Sequence, residues 1–234
     1  NAHSNLGDVL RDLGKLEDAE LSTRKAIRLN PDFADAHSNL GNILKKLGAL
    51  KEAEISYRKA IQLNPDFANA HSNLGNILRD LGSLKEAEIS TRKAIQLNPN
   101  SEESHTNLGA ILRDCGQLKE AEKYLRKTVE INPNNAINHS NLGGILSDLG
   151  RLQEAELSTR KAIELNPDFA EAHSNLGNIF RELGKLKESE LYTQKAIELN
   201  PNFAEAHYNL GNIMNDLGNL KEAELENQKS IDIS

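Results

Sequence analysis

The chain has a single cysteine, Cys115, among 234 residues. No disulfide can form within it, and a cytoplasmic setting is expected. Basic charge is also scarce: 28 lysines and arginines stand against 35 aspartates and glutamates, a formal net charge of −7. A nucleic-acid binder needs a basic stripe to neutralise phosphates, so no nucleic-acid partner is expected. No apolar run approaches the roughly 20 residues that cross a bilayer, and no secretory leader is visible, so no membrane partner is expected either. P-loop, dinucleotide fingerprint, nucleophile elbow and zinc motif are all missing. No catalytic residue, metal or cofactor is therefore expected. The one glycosylation-type match, Asn138-His139-Ser140, falls within a helix-forming stretch and reads as chance.

What the chain does have is a fixed step of 34 residues, kept by all seven histidines, from His3 and His37 to His173 and His207. All six prolines, Pro31 to Pro201, keep it too, as do glycine rows from Gly7 to Gly211 and from Gly14 to Gly218. Such a period marks a stacked array in which each unit touches only its neighbours. The units run 1–33, 34–67, 68–101, 102–135, 136–169, 170–203 and 204–234, in one continuous array. Units 34–67 and 68–101 are identical at 27 of 34 positions, which indicates recent duplication. Catalysis needs unlike residues converging at one place, whereas here the same residues recur, so the chain reads as a non-enzyme. It starts and stops inside a repeat without an initiator methionine, and reads as a segment of a longer protein. Charge is uneven: residues 1–101 carry 14 basic and 13 acidic side chains, and residues 136–234 carry 9 and 16.

Within unit 34–67, Ala36, Leu40, Gly41, Ile43, Leu44 and Leu47 lie at helical spacing and make one wide apolar face. Gly48 supplies the left-handed conformation that ends this helix. A second helix starts near Leu50, buries Ala53, Ala60, Ile61 and Leu63, and stops at Asn64-Pro65. Two helices of about thirteen residues joined by a tight turn form an antiparallel hairpin. The combination Leu40-Gly41, Gly48, Ala53, Ala60 and Pro65, repeated seven times, resembles the tetratricopeptide repeat over the whole chain. The resemblance implies an all-α, right-handed superhelical α-solenoid of seven helix-turn-helix repeats, with first helices lining a concave face. It departs from the family at the histidine row, where an aromatic is usual. It departs again in the second helix, where Thr23, Tyr57, Thr91, Leu125, Thr159, Thr193 and Asn227 share a slot.

The histidines cannot share a metal, because stacked helices lie about 8–10 Å apart and zinc–nitrogen bonds are about 2.0–2.1 Å. Each ring is expected to fill a slot between helices with one nitrogen hydrogen-bonded. The asparagines are the candidate site. Asn5, Asn39, Asn73, Asn107, Asn141, Asn175 and Asn209 hold one slot on the first helix without exception. Asparagine is a mediocre helix former, and its amide matches the donor and acceptor of a peptide backbone. A second row, Asp8, Asn42, Asn76, Asn178 and Asn212, lies three residues on and is broken by Ala110 and Gly144. The competing reading is that the asparagines bond neighbouring repeats. The ladder is similar to that of the O-linked N-acetylglucosamine transferase repeats, which implies a grip on substrate backbone. The expected function is thus a non-catalytic protein-interaction scaffold holding an extended peptide in its groove. The alternatives are the substrate-recognition arm of a larger enzyme such as a glycosyltransferase, and a repeat protein that self-associates end to end. Exposed-face pairs such as Glu54–Arg58 are expected to be structural, and the apolar row Leu21, Ile55 and Ile89 to be covered by neighbouring side chains.

Overall fold

The computed structural model describes residues 2–233. Among them are fourteen α-helices, α1 Ala2–Asp12, α2 Leu16–Leu29, α3 Ala34–Lys46, α4 Leu50–Leu63, α5 Ala68–Asp80, α6 Leu84–Leu97 and α7 Glu102–Asp114, then α8 Leu118–Ile131, α9 Ala136–Asp148, α10 Leu152–Leu165, α11 Ala170–Glu182, α12 Leu186–Leu199, α13 Ala204–Asp216 and α14 Leu220–Ile233. There is no strand among the described residues. The fold class is all-α, a helical-repeat solenoid. The helices fall into two compact units, Asn1–Gln117 and Leu118–Ser234.

Each hairpin is shaped by its punctuation. In the second repeat the helix ends as the amides of Gly48 and Ala49 turn back to the carbonyls of Lys45 and Leu44, at 3.0 and 2.9 Å. This Schellman closure requires Gly48 at φ +77°, a conformation that penalises any residue with a Cβ. At the far end the Asn64 amide bonds the Ala60 carbonyl at 2.9 Å, Pro65 forbids continuation, and the Phe67 amide returns to Asn64 at 3.1 Å.

The two helices of a hairpin approach at a glycine. A Cβ placed on Gly41 would lie 2.6 Å from the Tyr57 ring, and one placed on Gly75 would collide with the Thr91 hydroxyl. The glycine row is therefore a packing requirement. In the first unit Leu40, Leu44, Ala53, Tyr57, Leu74, Ile77, Leu78, Ala87 and Ile111 form one core seam. Cys115 packs half-buried against it in the slot that leucine holds elsewhere, and burial raises its thiol pKa. In the second unit Leu210, Met214 and Ala223 close the last hairpin. Second helices pack on the next first helix (α2 on α3, α4 on α5, α10 on α11, α12 on α13). First helices of neighbouring repeats also approach one another (α1 and α3, α5 and α7, α9 and α11, α11 and α13), and among the described residues no approach that close is made between second helices. Within each unit the first helices therefore line the inner side. That geometry corrects one expectation. With second helices spread apart, Leu21, Ile55, Ile89 and Leu157 stand 64–70% exposed instead of being covered.

Candidate functional site

The asparagine ladder lies on the inner, first-helix side of each unit. Asn39, Asn73 and Asn107 in the first unit and Asn141 and Asn175 in the second are half-buried, Asn209 is buried, and Asn5 is exposed. The amide nitrogens of Asn39, Asn73, Asn107, Asn175 and Asn209 are fastened to the preceding repeat, whereas no such bond is made by Asn5 or Asn141 among the described residues. Asn107 Nδ2 donates to Ser72 Oγ at 3.2 Å, Asn175 to Ser140 at 3.1 Å and Asn209 to Ser174 at 3.1 Å. Asn39 Nδ2 donates to Asp8 Oδ2 at 2.8 Å and reaches Ser4 Oγ at 3.4 Å. The acceptor serines are almost fully buried, so these bonds form in a low-dielectric seam where they are strongest. The ladder thus joins repeats. The sequence left its bonding direction open, because a row identical in every copy does not show whether its partner lies in the same repeat or the next.

The second row varies more. Asn42 Oδ1 accepts from the Tyr57 hydroxyl at 2.8 Å and from Asn73 Nδ2 at 3.1 Å, one oxygen tying two repeats. The Tyr57 ring is 0% exposed, and burial pushes its hydroxyl pKa up. Asp8 accepts from Asn39 and pairs with Arg11 at 3.1 Å. Burial raises its carboxyl more than Arg11 lowers it. Among the described residues Asn76, Asn178 and Asn212 are half-buried and bond no other side chain. Ala110 and Gly144 leave no polar group in their slots. The free oxygens of the first row matter most: among the described residues the Oδ1 atoms of Asn73, Asn107 and Asn175 have no protein partner.

The histidines tie the turns. Ring Nε2–H donates to the carbonyl of the proline six residues earlier, from His37 to Pro31 at 2.9 Å, His71 to Pro65 at 3.0 Å and His173 to Pro167 at 2.8 Å. His139 and His207 do the same with Pro133 and Pro201, at 2.8 and 3.0 Å. These rings thereby lock the entry to their own helices through one nitrogen, and His207 departs from that expectation by also bonding Glu226 through Nδ1 at 2.6 Å. No group of three or more histidine, cysteine or acidic side chains among the described residues is arranged to hold a metal.

The profile of the family described as the cilia and flagella-associated protein 70 C-terminal domain matches residues 34–232. The TPR repeat profile matches residues 7–48. No curated protein sequence matches the chain. Among solved structures, the chain is similar to YrrB, described as a TPR protein with an unusual peptide-binding site. Identity is 28% and the TM-score 0.61, over 79% of this chain and 95% of that one. A tetratricopeptide repeat protein from Parabacteroides merdae is 21% identical with a TM-score of 0.81, over 100% of this chain and 92% of that one. A chain of the APC/C hetero-tetramer Cut9–Hcn1 is 18% identical with a TM-score of 0.83, over 97% of this chain and 45% of that one. The last two likenesses concern the fold alone.

Proposed function

We propose that this chain, a tetratricopeptide-repeat protein that belongs to the domain family matched over residues 34–232, is a protein-interaction module. Each unit would hold an extended peptide against the inner face of its first helices. The observation that carries this is the half-used asparagine. Nδ2 is fixed to the preceding repeat, and Oδ1 is left as an acceptor held in one orientation. A preoriented acceptor costs little further entropy when a backbone N–H arrives. Repeats stacked about 10 Å apart meet an extended chain of ~3.3 Å rise about every third residue. The similarity to a peptide-binding TPR protein at 28% identity supports the same reading.

The test uses peptides selected from a random display library against the wild-type chain. Replacing Asn39, Asn73 and Asn107 by alanine should weaken all of them at least tenfold, since each backbone contact contributes about 0.5–1.5 kcal/mol. It should also lower the melting temperature, because joints between repeats are lost. A control, Ser4→Ala with Ser72→Ala, loosens the joints yet keeps the oxygens. It should melt lower and bind less tightly than wild type, because the oxygens lose their fixed orientation, yet more tightly than the asparagine variant. An asparagine variant that stays helical and binds like wild type would refute the groove reading.

A further inference from the structure

The outer side of the first unit carries two like sockets. One, of about 870 Å³, is lined by Arg58, Ile61, His71, Leu78, Ile89 and Ser90 among others. The other, about 390 Å³, repeats it one unit earlier with Arg24, Ile27, His37, Leu40, Ile55 and Ser56. Both fall within the roughly 300–1,000 Å³ typical of ligand pockets. The second unit shows what fits there. One repeat later in the same frame, Ser90 corresponds to Tyr124, and two further on to Tyr192, while Arg58, His71 and Leu78 correspond to Arg160, His173 and Phe180.

Tyr192 occupies its own socket. Its ring stacks on His173 with centroids 5.9 Å apart and planes 24° apart, and it meets the Phe180 ring at 5.4 Å. The Arg160 guanidinium lies over both rings, at 5.8 and 5.3 Å, and Nη1 donates to the Tyr192 hydroxyl at 3.1 Å. In the open sockets the matching arginines turn elsewhere: Arg58 Nη2 donates to Glu86 at 2.6 Å and Arg24 Nη2 to Glu52 at 2.9 Å. A small serine stands where the ring would enter.

We infer that these two sockets dock tyrosine side chains of an extended, acidic segment of a partner protein, placed as Tyr192 is placed in its own repeat. His37 and His71 offer the stacking face, and Arg24 and Arg58 exchange a glutamate for the phenolic oxygen. The rim selects acidic neighbours. Lys59 and Lys93 are followed three residues on by Gln62 and Gln96, whereas the matching lysines of the second unit each face a glutamate. Sockets one repeat apart suit two tyrosines three residues apart in a polyproline II-like segment, which has three residues per turn at ~3.1 Å rise and so brings every third side chain to one side. This surface is separate from the asparagine ladder.

The probe is a fluorescein-labelled octapeptide, Gly-Asp-Tyr-Ser-Asp-Tyr-Asp-Gly, titrated by anisotropy and by NMR of the histidine ring protons. His37 and His71 signals should move upfield while His173 stays put. Replacing both tyrosines by phenylalanine should weaken binding roughly 5- to 150-fold through the two lost hydrogen bonds. Ser56→Tyr with Ser90→Tyr should plug both sockets and cost at least tenfold. Conversely, Tyr192→Ser should make His173 respond. Asn73→Ala with Asn107→Ala should leave this binding unchanged, which separates it from the groove. Binding undiminished by the plugging pair overturns the inference. So do His37 and His71 shifts that grow with protein concentration and no peptide, which would assign the sockets to a second copy of the chain.

Discussion

In α4 the Lys59 ammonium donates to the Gln62 amide at 3.1 Å, whereas in α8, α10 and α12 the matching lysines pair with Glu130, Glu164 and Glu198 at 2.6–3.0 Å. That local contrast runs through the molecule. Residues 1–117 carry 15 basic and 16 acidic side chains, and residues 118–234 carry 13 and 19. The first unit has the buried Tyr57 against Gly41 and open outer sockets. Threonines face the glycine in both, against Gly7 and Gly75 in the first and Gly143 and Gly177 in the second, but the second has no tyrosine in that slot and has one seated in its outer socket. The two glycine rows stay put in both, and the alanine and leucine slots of the seam change only to small or apolar residues such as Thr128, Ser189, Phe180 and Cys115, whereas side chains that leave the seam diverge freely. The two units share a scaffold and differ in which surface is left unoccupied.

The strongest way to break this comparison is Tyr57→Ala. It empties a fully buried ring site and removes the bond to Asn42, at an expected cost of about 3–5 kcal/mol. Thr159→Ala, whose hydroxyl is buried without a hydrogen bond, should cost far less, because no satisfied polar contact is lost. Denaturant unfolding of the two variants measures the difference.

Next comes glycine. Gly41→Ala drives a methyl into a ring with nowhere to move, and overpacking of that kind costs about 1–3 kcal/mol. Gly177→Ala meets only the Thr193 side chain and the chain around it. A threonine can rotate, so it should cost less than Gly41→Ala. Equal losses would mean that the backbone separation, and not the facing side chain, sets the limit.

A smaller effect sits in the last hairpin. Burial pushes the Glu226 carboxyl up, but hydrogen bonds from Lys229 at 2.7 Å and His207 at 2.6 Å outweigh it, and its pKa is lowered. A depressed carboxylate stabilises the fold above its unfolded value of about 4.3, and that share is lost as pH falls through the lower folded value. Amide protection factors in α14, the intrinsic exchange rate divided by the observed rate at the same pH, should therefore fall on acidification below about pH 4.3. Glu226→Gln should flatten that dependence while costing roughly 1 kcal/mol at neutral pH. The smallest effect is Gln62→Glu, which gives the first unit the exposed pair of the second. It should add about 0.2–0.5 kcal/mol at low salt and nothing at 1 M.

The repeat, its two helices and their ends were legible in the sequence, because Gly48 and Asn64-Pro65 each act within a few residues of where they stand. Helix α4 does begin at Leu50 and end at Leu63. Long-range partners were not legible. Nothing in one copy distinguishes Ser72 bonding within its repeat from Ser72 receiving Asn107 from the next. The exposure of Ile55 was misjudged for a related reason: it depends on how far second helices spread, a tertiary distance absent from the helical pattern. Tyr192 was equally opaque. Nothing in a tyrosine standing for serine announces a partner, and only its position over His173 gives it meaning.

The Asn107–Ser72 bond spans 35 residues, one more than the period, and has a consequence for how such a gene can change. Donor and acceptor are both present in nearly every unit, so the joint is made between like parts. Excision of residues 68–101 would bring Asn107 to Ser38, a serine in the same slot. Slippage by a whole unit during replication therefore lengthens or shortens the protein without a chemical misfit at the new junction, whereas slippage by any other number of residues severs every bond across it.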